Sequence, residues 1–298
     1  MLKRIFVLLT VLSVFVSFIN ISPAYSEEAA EEESSQNTSS EVLLDEDETT
    51  FEDAYADYIG LFEEYNKAHE EYVLKRAQYL KFLTLKSRQE AFDATFVMLE
   101  KRDEVVISYL KVLRFKLKEG RGITDEKKND LNFRLEEEIE WYENHKANLS
   151  TTGSLEDLVS DSRLASNRQR SISPLAYETM ALLAQGKVLQ FGERTDEIYK
   201  TTKDKLEMIR NDEREEYSVS STKFQVLDRW IFEADGKIVR SDGKQEDAEA
   251  IISNNIKKGI NVISGYNTVI SKLNESQLYL KETVLFIEEI IKQIKIKD

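Results

Sequence analysis

The chain has 298 residues, with 41 Lys and Arg against 56 Asp and Glu, a formal net charge of −15, two prolines, ten glycines, two histidines and no cysteine. The lack of cysteine excludes disulfides, thiolate metal sites and a lipid-modified N-terminal Cys. The acidic balance disfavours nucleic acid and non-specific adhesion to anionic lipid, because phosphate repels such a chain. So few helix breakers beside plentiful Glu, Lys, Leu, Ile and Ala point to an all-α fold.

Residues 1–26 read as a signal peptide. Lys3 and Arg4 form a positive start, Ile5 to Ile19 an apolar run, and Ser22-Pro23-Ala24-Tyr25-Ser26 a small-residue cleavage site before Glu27. The 15 residues of that run fall short of the ~20 a spanning helix needs. Cleavage is therefore expected, with no stable membrane insertion afterwards. It removes two positive and no negative side chains, taking the formal charge from −15 to −17. Residues 27–50 contain ten acidic and no basic side chains, the composition of a disordered acidic linker. Residues 51–298 are left as an α-helical bundle domain.

From Phe51 the apolar residues follow a heptad seam through Tyr55, Tyr58, Phe62, Tyr65, His69 and Tyr72 to Tyr79 and Leu83. A second seam, Phe92, Phe96, Leu99, Asp103, Val106, Leu110, Leu113 and Leu117, is displaced by one residue. A stammer or bend within Thr84 to Ala91 would absorb that shift. The expectation is one helix of about 65 to 70 residues, roughly 100 Å long at ~1.5 Å per residue. Gly120 ends it, Thr124 or Asp125 caps a second helix, and Ser154-Leu155-Glu156-Asp157 opens a third with a capping box.

Ser173-Pro174 reads as a helix restart. The pattern weakens at Gly186, and a fourth long helix is expected to stop near Asp235-Gly236. Between Arg229 and Lys244 a loop is expected, with a short hairpin as the alternative. The last helix has the most regular seam, running from Ile252 to Ile294 and interrupted in apolar bulk only by Gly259 and Gln277. The expected architecture is an elongated antiparallel helical bundle or coiled coil of long helices, spectrin-like in general shape.

Motifs for chemistry are missing. There is no HExxH, no ExxH pair, no GxSxG elbow and no phosphate-binding glycine loop. His69 and His145 read as packed or surface histidines. No catalytic, cofactor-binding or metal-ligating residue is expected, and the chain reads as a non-enzyme. Two binding surfaces are candidates. One is the seam Ile252, Ile256, Ile263, Tyr266, Ile270, Leu273, Leu280, Val284, Ile287, Ile291 and Ile294, facing a partner helix in cis or in a homo-oligomer. The other is an aromatic face of Tyr55, Tyr58, Phe62, Tyr65 and Tyr72, which reads either as a ligand or protein face or as core packing.

The strings TLKSRQEAFDATFVMLEKRDEVVISYLKVLRFKL (84–117), EWYENHKANL and SLEDLV (within 140–159) and LDRWIFEA (227–234) cover about a quarter of the chain. They resemble uncharacterised secreted helical proteins of small-genome, candidate-phylum bacteria. That resemblance implies a helical fold, export, and helix rather than hairpin at Trp230, and it supplies no activity. The functional expectation is a secreted or cell-envelope scaffold or spacer with unidentified protein partners, in the periplasm, at the cell surface or outside the cell. The alternatives are a helical binding module or chaperone using the aromatic seam, and an α-helical pore-forming toxin. For the toxin, no segment after residue 50 offers a long uncharged apolar run.

Overall fold

The computed structural model describes residues 50–149, 153–211 and 220–295. All regular structure among them is helical: α1 Phe51–Phe82, α2 Leu85–Glu119, α3 Asp125–Ala147, α4 Leu155–Arg210, α5 Ser221–Ile251 and α6 Val262–Lys295, with a π turn Ile252–Ile256 closing α5. The signal peptide and nearly all of the acidic linker lie outside the described residues.

Five helices start on a side-chain cap. The hydroxyls of Thr50, Thr84, Thr124, Ser154 and Ser220 each accept the backbone N–H three residues on. Such caps satisfy one of the four N-terminal donors a helix leaves unpaired. Asp53, Ser87 and Asp157 return a bond to the cap backbone, completing three capping boxes. Thr124 and Ser154 cap where the sequence places them.

The one-residue phase shift near Thr84 is a full reversal of the chain, not a bend in one long helix. Leu83 adopts φ 51° and ends α1 by donating its N–H to the Tyr79 carbonyl, and Thr84 with Ser87 starts α2 at once. The result is an antiparallel hairpin. Lys75 meets Glu90 at 3.0 Å, Lys101 meets Glu64 at 2.8 Å, and Lys116 lies 4.1 Å above the Phe51 ring. A left-handed Leu carries roughly 1–2 kcal/mol of backbone strain. Nothing in composition announced the turn, because neither Gly nor Pro occupies it.

Two further breaker positions fail to break. Pro174 and Gly186 both lie inside α4, whose 56 residues form one element instead of a third helix with a restart at Ser173. The turn between α2 and α3 rests on Gly186. A Cβ there would stand 2.4 Å from the Arg121 carbonyl oxygen, and one on Gly122, itself at φ +72°, would stand 2.1 Å from the Gly186 carbonyl oxygen. Only two glycines permit so close a backbone approach.

The expected loop at 229–244 is also overturned, since α5 runs straight through Asp235-Gly236 and Asp242-Gly243. Its buried stripe is Leu227, Ala234, Ser241 and Ala248, all fully buried at heptad spacing. Three of the four are small, so apolar bulk does not reveal them. Both glycines face open space. Lys237 reaches Glu282 and Lys244 reaches Glu275 across to α6, with Ser241 hydrogen-bonded to Ser276 at 2.8 Å. The chain actually reverses at Lys257 to Asn261, where Gly259 (φ 72°) and Asn261 (φ 46°) take left-handed conformations. Ile252 and Ile256 therefore belong to the end of α5, not to the last helix.

Helix α4 serves both halves of the bundle. Its first half packs with α2 and α3, and its second half forms a three-helix bundle with α5 and α6. Helix α1 lies outside, packed on α2.

Glycine substitutions separate these assignments. Gly236→Ala should stabilise the protein by about 0.5–1 kcal/mol in urea unfolding, the ordinary gain of Ala over Gly in an open helical position. Gly186→Ala should cost about 1–3 kcal/mol by overpacking against the α2–α3 turn. A loss of stability from Gly236→Ala would restore the loop reading.

Candidate functional site

The aromatic face is a ladder of rings along one side of α1. Successive centroids from Phe51 through Tyr55, Tyr58, Phe62, Tyr65 and His69 to Tyr72 lie 5.9 to 6.4 Å apart. It is not an open groove. Tyr58 and Tyr65 are buried, while Tyr55, Phe62 and Tyr72 are half-buried. Tyr58 meets Tyr109 of α2 at 5.8 Å, Tyr177 of α4 meets Tyr266 of α6 at 5.2 Å, and the Tyr109 phenol interacts with all three others. Burial pushes the Tyr58 and Tyr266 phenols up to about 12 and raises Tyr109 and Tyr177 as well. These phenols stay neutral and act as apolar rings carrying one hydroxyl each.

The Ile252–Ile294 seam is real, but within α6 every second step falls one residue earlier than the sequence reading places it. The fully covered positions are Tyr266, Val269, Leu273, Ser276, Leu280, Thr283, Ile287 and Ile290. Among the seam residues read from sequence, Ile252, Ile256, Tyr266, Leu273, Leu280 and Ile287 are buried. Ile270, Val284, Ile291 and Ile294 sit half-buried at its edge, and Ile263 is exposed at 48%. Three of the shifted steps went to the bulkier neighbour, Ile270 over Val269, Gln277 over Ser276 and Val284 over Thr283, while Ile291 and Ile290 do not differ in bulk. The partner that covers the seam is in cis: α4 and α5 supply Tyr199, Leu206, Leu227 and Ala234 against it.

The densest polar cluster joins α2, α3 and α4, and its signals in the sequence are a charged residue, Asp103, at a seam position of α2 and the presence of His145. Asp103, fully buried, accepts from Arg102 Nε and Nη2 at 3.2 and 3.0 Å and from His145 Nδ1 at 2.5 Å. His145 Nε2 lies 3.1 Å from the Asp161 carbonyl oxygen. Both imidazole nitrogens thus face acceptors, an arrangement that a doubly protonated ring satisfies. Trp141 stacks on this ring at 5.0 Å, and Arg168 lies over Trp141 while bonding Glu138. A second cluster pairs buried Glu178 with Arg134 at 2.7 and 3.2 Å, with Lys257 of the α5–α6 turn 3.9 Å away.

In chemical terms these clusters brace helices. The His145–Asp103 geometry resembles the orienting half of a nucleophile-activating triad. However, the nitrogen that would face a nucleophile is occupied by a backbone carbonyl, and the ring is nearly covered. No group of three or more metal-ligating side chains is gathered among the described residues.

The cluster makes stability depend on pH. Burial disfavours a charged His145, but the hydrogen bond and charge of Asp103 outweigh it despite Arg102 nearby, so the native pKa lies above the ordinary 6.5. The folded state therefore holds a proton that the unfolded state releases first. The resulting stability is complete below about pH 6.5 and is lost as pH rises through the higher native value. Stability to urea should fall as pH rises above about 6.5, and His145→Gln should flatten that fall. Asp103→Ala, which strands two cations, should cost about 3–5 kcal/mol. An unchanged slope in His145→Gln would show that this histidine does not govern it. No family model, curated protein or solved structure matches the chain.

Proposed function

We propose that the protein is exported and acts outside the cytoplasm as a helical scaffold or spacer, binding other proteins and catalysing no reaction. The observation that carries this reading is where the buried polar chemistry is spent. Asp103, Glu138 and Glu178 each pair with cations that tie one helix to another or fix a neighbouring side chain. Exposed cross-helix pairs such as Lys101–Glu64, Lys111–Glu143 and Lys127–Glu249 add lateral bracing. Single surface pairs contribute little to stability, about 0–1 kcal/mol each, yet they fix helix register. A braced bundle of this kind suits a part that holds distance and orientation. Export rests on residues 1–26, whose order of charge, apolar run and small residues is that of a cleaved leader.

Two measurements on the native host test this reading. After crosslinking intact cells, the protein should be recovered from the envelope or medium joined to other proteins, and its N-terminus should begin at Glu27. Recovery from the cytoplasm with Met1 retained would overturn export. A purified protein that turns over a small-molecule substrate, with loss on Asp103→Asn, would overturn the scaffold reading.

A further inference from the structure

The seven residues from Leu80 to Lys86 at the α1–α2 turn are all exposed. Four of them are large and apolar: Leu80 and Phe82 at 58%, Leu83 at 71% and Leu85 at 84%. Elsewhere among the described residues exposed apolar side chains stand singly or in pairs along the sequence, which is ordinary for a protein surface. Leu83 is doubly unfavourable: its φ of 51° is one that Gly or Asn takes more easily, and its side chain gains little burial in return. Such a residue is explained by a contact outside the fold.

Charge indicates what that contact is. From Tyr72 to Gln89 the chain has five Lys and Arg and no Asp or Glu, although its net charge is −15. Arg76, Lys81 and Lys86 are exposed, Lys86 with 87% of its side chain, and Lys81 lies 5.1 Å from the Phe82 ring. The nearest carboxylates stand behind the apex: Glu90 with Lys75 at 3.0 Å and with Lys86 at 3.8 Å, and Glu156 with Arg88 at 3.4 Å. Along the turn the cations Lys81 and Lys86 are interleaved with the apolar side chains, Arg76 lies farther back on α1, and the carboxylates stand behind them.

We propose that the α1–α2 turn is a lipid-docking tip that places Phe82, Leu83 and Leu85 at the headgroup–acyl boundary of an anionic bilayer, with Arg76, Lys81 and Lys86 at the phosphates. An exposed apolar apex interleaved with and backed by cations, with no Asp or Glu from Tyr72 to Gln89, is the argument for lipid over protein. Arg76 lies seven residues from Leu83, about 10 Å at ~1.5 Å per residue. Interfacial elements bury their apolar face about 5–10 Å deep beneath anionic headgroups. Net repulsion of the acidic chain does not prevent this, because charges beyond about 10 Å are screened at ~0.1 M salt. Docking remains interfacial, since no helix among the described residues is long and apolar enough to cross a membrane. The proposal does not depend on export, for any anionic leaflet would serve.

The absence of native cysteine permits a site-specific test on the full chain. Leu85→Cys carrying an environment-sensitive dye should shift its emission to the blue with phosphatidylglycerol vesicles and not with phosphatidylcholine vesicles. The same dye at Gly60→Cys, on the exposed side of α1 far from the turn, should not respond. Adding Phe82→Ser and Leu83→Asn to the Leu85→Cys protein, which suits the left-handed position, should weaken vesicle affinity at least about tenfold while the helical circular dichroism is retained. Lys81→Glu with Lys86→Glu should weaken it about 25-fold or more, at roughly fivefold per cation. The idea is overturned if the Leu85 dye is silent on phosphatidylglycerol, if both dye positions respond alike, or if the apex variants bind as well as their parent. Concentration-dependent self-association abolished by Phe82→Ser and Leu83→Asn would also overturn it, assigning the tip to a second copy.

Discussion

The continuity of α4 is the constraint on which the rest of the bundle depends. Its residues Leu155–Arg210 contain one proline and two glycines, Pro174, Gly186 and Gly192, and interior proline ordinarily costs a helix about 3 kcal/mol or more. Turns land at Pro174 and Gly186, and Gly192 packs against Leu280 of α6. The α2–α3 turn lies against Gly186 at backbone distance, and Gly259 of the α5–α6 turn faces the Pro174 ring. Tertiary contact thus covers the weak points, and helices α2, α3, α5 and α6 can all use the same element as a wall.

Two kinds of core meet along that wall. Around α2 the interior holds large side chains such as Leu99, Leu110, Leu131, Leu135 and Tyr142. Around α5 and α6 it narrows to Ala234, Ser241, Ala248, Ser276 and Thr283, which let helices approach closely. A serine pair and the Gln245 side chain supply polar links there. Buried hydroxyls of this kind are tolerated because they bond one another or the carbonyl four residues back, as Thr283 bonds Tyr279. Buried charge is concentrated where three helices meet, and every charge there has a partner close at hand. That is the condition under which buried ions persist.

Net charge and local charge also part company. The whole chain is strongly acidic, which argues against anionic partners when averaged over its surface. The reversal at Leu83 brings cations from the end of α1 and the start of α2 to one place, interleaved with exposed apolar side chains. Within a Debye length, arrangement outweighs the total.

The all-α class was legible in the sequence because it depends on composition and on apolar period, both local properties. Capping residues at Thr124 and Ser154 and the stop at Gly120 were legible for the same reason: each acts on groups within four residues. The heptad of the last helix was legible as a stripe, with every second step misread by one residue. Side-chain bulk marked Ile270 and Val284, whereas packing placed Val269 and Thr283 inside, and nothing in bulk separates Ile290, which is inside, from Ile291. Only the tertiary structure decided where helices end without a breaker, as at Leu83, and where they continue through one, as at Pro174, Gly186 and Gly236. In each case the deciding energy comes from residues distant in sequence, which no local pattern records. His145 shows the same division. The sequence shows one histidine on a helix, and its charge is set by Asp103 and a carbonyl that only folding brings to it.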